Sequence, residues 1–311
     1  MENFLWVEAY RPRTVDDCIL PAELKHAFKY FVEQGRIPNL LLVGKPGVGK
    51  TTIARAMLEQ INADYMVING SLNGNIDTLR VEIKNFASSV SLLGGRKYVI
   101  LDEADYLNAN STQPALRNFM EEYSSNCGFI LTCNYKNKII EPLQSRCSLV
   151  EFSIPTGEAP ALARQFHKRV SAILTQQGIE YDNSVIAQFI SQHFPDWRRV
   201  LNELQRYSIN GKIDSGILAK NTDAGIAQLI DDMKTKNFTN VRRWVGENSD
   251  IDCSVLFRKF YDEASQHFKP QSIPQLILIL ADYQYKAAFV ADPEINLAAC
   301  FAEIMVQCEF K

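Results

Sequence analysis

The run Gly44-Lys45-Pro46-Gly47-Val48-Gly49-Lys50-Thr51-Thr52 and the acidic quartet Asp102-Glu103-Ala104-Asp105 are the residues of this chain best suited to chemistry. The first has the spacing G-x-x-x-x-G-K-[ST], which builds a cradle for a phosphate chain. Glycines at 44, 47 and 49 admit backbone conformations closed to residues with a Cβ, so successive N–H groups converge on phosphate oxygens. Lys50 places an ammonium on the β- and γ-phosphates, and the Thr51 hydroxyl completes the coordination of Mg²⁺. The ligand this predicts is ATP or GTP. In the quartet, Asp102 would hold Mg²⁺ through water, and Glu103 would orient or deprotonate an attacking water. The chemistry so described is hydrolysis of a nucleoside triphosphate.

Those residues need a sheet edge to hold them. Leu40-Leu41-Leu42-Val43 reads as a buried strand that feeds the glycine loop, with a helix over 50–61 beyond it. Strand patterns at 65–68, 98–101, 128–132 and 148–152 alternate with helix patterns at 76–90, 112–123 and 139–145. Alternation of this kind predicts a parallel sheet covered on both faces. Asp102 then stands at the carboxyl end of its strand, where ligands bind in such sheets. An extended N-terminal stretch carrying Trp6 and Tyr10 and a helix over 22–34 come first.

Pro155, Gly157 and Pro160 punctuate the chain, and no strand pattern is read after them. Helices are expected over 158–177, 183–193 and 196–209, followed by a break at Asn210-Gly211 and an all-helical remainder. In that remainder Asp292 is an expected N-cap with Pro293 at the first helical position. The last helix has apolar residues around nearly its whole circumference, from Ile295 to Cys308, and so is expected to be buried on several sides, in a core or a subunit seam. The division expected is 1–154, 155–218 and 219–311.

Three further polar residues stand at telling places. Asn134 ends the strand Leu131-Thr132-Cys133 and is either a holder of the lytic water and γ-phosphate or a turn asparagine. Arg146 follows a short helix, where a cation suits the dipole without any catalytic role. Arg198 and Arg199 fall in the first turn of a helix starting at Asp196, where cations oppose the dipole and call for an anion, either a nucleotide phosphate or Asp196 itself.

Composition excludes several classes. At 311 residues and 46% apolar content the chain fills more than one core. The net charge of −3 offers no field to attract a polyanion, so nucleic-acid contact must come from local basic patches. Seven scattered cysteines without a C-x-x-C pair suggest neither a zinc site nor a disulfide framework. The N-terminus does not resemble a signal peptide, and the longest apolar run, Leu276 to Ala281, is far too short to span a bilayer. A soluble cytoplasmic protein with no membrane partner is expected. Asp-Glu-Ala-Asp also invites a helicase reading, but helicases of that kind need a second motor sheet, and the helical second half predicts none.

In this order the elements resemble the AAA+ ATPases, and finer signatures narrow the match to DNA clamp loaders. Trp6-Val7-Glu8-Ala9-Tyr10-Arg11-Pro12 looks like that family's W-V-E-K-Y-R-P box, and Ser145-Arg146-Cys147 like its S-R-C motif. Gln113, Leu116-Arg117 and Met120-Glu121 match the helix after its acidic motif, and Asp196-Trp197-Arg198-Arg199-Val200-Leu201 resembles its second sensor. Stretches such as Asn62-Ala63-Asp64 and Tyr123-Ser124-Ser125-Asn126-Cys127 are most similar to the loaders of T-even-type bacteriophages.

The resemblance implies an α/β AAA+ module, a helical lid and a helical collar, with ATP and Mg²⁺ as cofactors. It places Tyr10, Arg11 and Pro12 against the adenine, makes Arg198 a sensor, and sends Arg146 in trans into the neighbouring subunit's ATP site. Four copies with one different small subunit would form a pentamer through the collar. ATP binding would close this ring around primer–template DNA and open the sliding clamp, in the host cytoplasm if the source is viral. Contact with DNA should be with phosphates, and Arg80 and Lys84, four apart on one helix face, are the residues expected to make it. Asn75 stands where the family carries a basic residue. The rival readings are an AAA+ DNA motor or helicase loader and a nucleotide-gated scaffold that does not hydrolyse.

Overall fold

The structure, a computed structural model, describes residues 4–71, 76–91, 94–219, 222–248, 253–287, 289–290 and 292–311. In its first unit, Met1–Ile217, the elements run α1 (Trp6–Ala9), α2 (Ala22–Glu33), β1 (Leu40–Val43), α3 (Lys50–Gln60), β2 (Tyr65–Asn69) and α4 (Ile76–Ser88). Next come β3 (Lys97–Asp102), α5 (Thr112–Glu122), β4 (Cys127–Cys133), α6 (Glu141–Gln144) and β5 (Ser148–Glu151). The unit closes with α7 (Ala159–Gln176), β6 (Glu180–Tyr181), α8 (Asn183–His193), α9 (Trp197–Tyr207) and β7 (Lys212–Ile213).

Strands β1 to β5 form one sheet in the order β2-β3-β4-β1-β5, every neighbour parallel. Successive side chains of a strand point to opposite faces, and the core divides accordingly. Leu40, Leu42, Ile100 and Ile130 pack against Phe28 of α2 and Ile53 and Met57 of α3. Leu41, Val99, Leu101, Phe129 and Leu131 pack against Ile83 of α4, Leu116 and Met120 of α5 and Leu143 of α6. A sheet buried on both faces explains the unbroken apolar run of β1 and the buried Phe129-Ile130-Leu131 of β4.

Two expectations need correction. The N-terminal stretch is not simply extended. Trp6 is buried and opens the one-turn helix α1, held to α9 where the Trp6 N–H donates to Gln205 Oε1 at 2.9 Å and Gln205 Nε2 donates to the Phe4 carbonyl at 2.7 Å. Strand structure also recurs after Pro160, because β6 and β7 pair in parallel through Glu180–Lys212 and Tyr181–Ile213. Two residues are too few for alternation to show in sequence. Among the described residues there is no second large sheet.

The second unit, Leu218–Lys311, is described on its own. After α10 (Gly216–Ala219), which begins in the first unit, it contains α11 (Thr222–Lys234), α12 (Phe238–Glu247), α13 (Cys253–His267), α14 (Ile273–Ala287) and α15 (Pro293–Gln307). Asp292 caps α15 as expected, accepting from the Glu294 and Ile295 N–H groups at 2.9 and 3.3 Å. The core gathers Met233, Trp244, Phe257, Phe260, Leu276, Phe301 and Ile304. Helix α15 is not buried all round within this chain: Ile295 and Val306 are 68% and 80% exposed, while Leu297, Cys300 and Phe301 face inward.

Leu41 is fully buried at the middle of the sheet, so Leu41→Ala should lower unfolding free energy by about 2–5 kcal/mol, read by denaturant titration. A loss below about 1 kcal/mol would show that the sheet does not pack as described.

Candidate nucleotide-hydrolysing site

The five strands deliver their carboxyl ends to one edge, and a cleft of about 420 Å³ opens there. The loop between β1 and α3 forms its floor. Gly47 and Gly49 take φ of +76° and +97°, the left-handed region that glycine enters without strain, and α3 starts at Lys50. Pro46 to Thr52 all line the cleft, together with Tyr10, Arg11 and Pro12, Asp102, Glu103, Asn134 and Arg198. Residues singled out in five separate segments of the sequence thus meet in one place. Gly44 sits just behind, its Cα so close to Phe152 that a Cβ would lie 2.7 Å from the Phe152 Cβ.

Lys50 is 8% exposed. Its ammonium donates to the Gly44 carbonyl at 2.7 Å, the Lys45 carbonyl at 2.8 Å and Asn134 Oδ1 at 3.0 Å. All three are neutral oxygens, and burial pulls the lysine pKa below its ordinary value, with Asp102 and Asp105 partly offsetting this. A desolvated cation held only by dipoles favours an incoming anion. The Asn134 side chain is thus tied to Lys50.

Asp102 Oδ1 accepts from the Thr51 hydroxyl at 2.6 Å. Together they present only oxygen donors, the chemistry of a Mg²⁺ site that completes itself with substrate phosphates and water. Among the described residues no group of three or more His, Cys, Asp or Glu could hold a metal alone. Glu103, next along, is in the left-handed conformation at φ 55°, ψ 46°. Asp105 is buried and its Oδ2 accepts from the Asn134 and Tyr135 N–H groups at 3.2 and 3.3 Å, which fixes the end of β4.

The other wall comes from the helices after β5. Trp197 N–H donates to the Gly47 carbonyl at 3.2 Å, and its ring lies 4.4 Å from that of Phe166. Asp196 caps α9 by accepting from the Arg199 N–H at 3.0 Å, the competing explanation that the sequence left open. Arg198 nonetheless lines the cleft. Val7, Leu20, Phe166 and Leu201 make an apolar slot for a base. Arg11 reaches Thr52 Oγ1 at 3.4 Å and pairs with Glu8, and that hydrogen bond holds the Glu8 carboxyl below its usual range. Two thiols also face the cleft, Cys18 and Cys133, but burial raises both to about 12, so neither is a nucleophile.

Several contacts went unforeseen: Asp105, the Thr132 hydroxyl, Gln177, whose amide donates to the Tyr10 hydroxyl at 2.6 Å, and Arg169, which lines the cleft and donates to the Asp17 carbonyl. Only Asp105 carried a signal, as the last acid of the quartet. Arg146 and Lys84, like Gly44, do not line the cleft. Arg146 lies outside it, donating to Glu121 and, at 2.7 Å, to the Pro142 carbonyl. Lys84 is exposed on α4, and the Arg80 side chain and Asn75 lie outside the described residues.

A five-stranded parallel sheet with this glycine loop, acidic strand end and helical wall defines a P-loop ATPase of the AAA class. The family model "ATPase family associated with various cellular activities (AAA)" matches residues 40–154, and "Sliding-clamp-loader large subunit, AAA+ ATPase lid domain" matches 159–219. The chain is 36% identical to the sliding-clamp-loader large subunit of Enterobacteria phage T4, over 98% of this chain and 96% of that one. It is 40% identical to that of Escherichia phage RB69 over the same shares. With the replication factor C small subunit of Sulfurisphaera tokodaii it shares 33% identity over 99% of this chain and 97% of that one. Among solved structures, the Holliday junction branch migration motor RuvB of Thermotoga maritima aligns at TM-score 0.54 and 16% identity, covering 72% of this chain and 78% of that chain, a likeness of fold alone. The chain belongs to the clamp-loader ATPase family that includes these phage large subunits and the replication factor C small subunits.

A Cβ on Gly47 would fall 1.8 Å from Asp196 Oδ1, at a φ unsuited to side chains. Gly47→Ala should therefore undock the start of α9 and weaken binding of a fluorescent ATP analogue about tenfold or more, with helix content unchanged. Affinity equal to wild type would contradict the described closure.

Proposed function

We propose that this chain is the ATPase subunit of a sliding-clamp loader, which uses ATP binding and hydrolysis to open a clamp and load it onto primer–template DNA during replication. The observation that carries this reading is similarity over nearly the whole chain to clamp-loader subunits, together with a cleft that has every element of an ATPase. The functional division proposed is an AAA+ module over 1–154, a lid over 155–218 and a collar over 219–311.

In the proposed mechanism the amides of Gly47 to Thr52 and the Lys50 ammonium grip the β- and γ-phosphates. Thr51 and Asp102 hold Mg²⁺, which neutralises phosphate charge when bound. Glu103 takes the proton of the attacking water, and Asn134 orients that water beside Lys50. Arg198, carried on α9, senses the phosphates, so that the helical wall closes when ATP arrives. Tyr10, Arg11 and Pro12 flank the base.

Arg146 supports a composite site. It stands outside its own chain's cleft, parked on Glu121 and a carbonyl at the protein surface. In the assembled ring it would serve a neighbour's γ-phosphate, and an arginine acting this way typically raises turnover roughly 10³–10⁵-fold. The second unit supports the assembly: Leu278 and Tyr285 on α14, Phe289 after it, and Ile295 and Val306 on α15 are exposed, and apolar surface of this kind marks subunit contacts. The partners proposed are four copies of this chain, one different small subunit, the sliding clamp, and DNA held by phosphates through Arg80 and Lys84. No helix among the described residues is long and apolar enough to cross a membrane, in keeping with a proposed site of action in the cytoplasm. The motor and scaffold readings lose ground to the full-length clamp-loader similarity and to the intact Glu103 respectively.

Two variants test the composite site. Complexes made wholly of Arg146→Ala or wholly of Glu103→Gln subunits should hydrolyse ATP at under about 1% of the wild-type rate with clamp and primer–template present. Mixing the two chains before assembly should restore part of that rate, because some sites then pair an intact glutamate with an intact arginine. Mixtures as inactive as either parent would overturn the trans role.

A further inference from the structure

Thr132 belongs to β4 and is 1% exposed, one of few buried polar residues in the sheet. The ladder between β3 and β4 ends at the pair Leu101–Leu131. One residue further on, the main chains no longer pair, and the Thr132 side chain takes over. Its hydroxyl donates to Asp102 Oδ1 at 2.6 Å and accepts from the Glu103 N–H at 3.1 Å. Both acids of the site are therefore held by one oxygen on the neighbouring strand.

The consequence differs for the two. Asp102 Oδ1 has two hydroxyl donors, Thr51 and Thr132. If Thr51 turns to a Mg²⁺ ion, Thr132 remains, and the carboxylate keeps its orientation without searching for it again. Glu103 sits in the left-handed conformation at φ 55°, which a residue with a side chain keeps only where its surroundings fix it. The Thr132 bond on its N–H and the Tyr106 N–H bond to its carbonyl, at 3.0 Å, are the fixing contacts. Together they fix the direction of the Cα–Cβ bond from which the carboxylate extends.

We infer that Thr132 is a positioning residue for hydrolysis: through its hydroxyl it holds Asp102 toward Mg²⁺ and Glu103 toward the lytic water. The inference rests on the ATPase reading above and adds a residue to it. A valine has nearly the same shape and would fill the strand equally well, so packing alone does not demand a hydroxyl here. Valine would leave the partly buried Glu103 N–H without its acceptor and take one of two donors from Asp102.

The test uses the assembled complex with clamp and primer–template, comparing wild type with Thr132→Val and Thr132→Ser, and Thr132→Ala as a second hydroxyl-free variant should valine impair folding. Outer-shell partners of metal sites typically cost about 10–100-fold when removed. Val and Ala should lower kcat by that factor and raise the Mg²⁺ concentration for half-maximal rate, while the affinity for a non-hydrolysable ATP analogue changes by less than about threefold. Exchange of the Glu103 amide hydrogen should quicken in the same variants without nucleotide, and Ser should restore all three readings. Hydroxyl-free variants with wild-type kcat, Mg²⁺ dependence and amide exchange would overturn the inference, as would a Ser variant no better than Ala. A wild-type complex that does not hydrolyse ATP would instead overturn the ATPase reading itself.

Discussion

A largely buried lysine ammonium whose hydrogen bonds all go to neutral oxygens is the constraint on which the rest of this molecule turns. Lys50 is held by two loop carbonyls and the Asn134 amide, and burial disfavours its charge. Nothing in folding alone rewards that arrangement, since a buried charge paired only with dipoles is worth less than an apolar side chain of similar size. It is favourable only once a polyanion arrives. On the proposed reading, phosphate binding relieves the cost of burying that cation and so couples to the shape of the site.

The conversion requires the cradle to touch whatever must move. Gly44 is pressed against Phe152 and Gly47 against Asp196, so the loop is clasped between the sheet edge and the start of α9. Trp197 hydrogen-bonds the Gly47 carbonyl itself. A change in the glycine loop, the proposed phosphate cradle, is thus felt directly by the helical wall, with no intervening chain of contacts. The same economy appears at the acids, where the Thr132 hydroxyl and the Asp105 carboxylate join the ends of β3 and β4.

Much of this was legible in the sequence because the relevant signals are local. The glycine loop, the strand before it and the acids that end β3 each fit within ten residues, and parallel topology brings such ends together without further instruction. The helix starts at Asp196 and Asp292 were equally readable, each aspartate accepting from N–H groups of the first turn. What could not be read depends on distant partners. The start of α1 is held by Gln205, far along the chain, which bonds the Trp6 N–H and the Phe4 carbonyl, and the β6–β7 pair is too short to leave a period. Thr132 looks like any strand threonine until β3 ends beside it. Arg146 was ambiguous for a related reason: its proposed partner belongs to another chain.

The most direct test of the central claim is thermal unfolding of wild type and Lys50→Met with and without Mg²⁺-ATP. Removing a buried cation that awaits an anion should leave the nucleotide-free protein melting at or above the wild-type temperature. Mg²⁺-ATP should then raise the wild-type midpoint and leave the variant's unchanged, since stabilisation by a ligand follows its affinity for the folded state. A variant that melts well below wild type without nucleotide, or that ATP stabilises as strongly as wild type, would contradict the account.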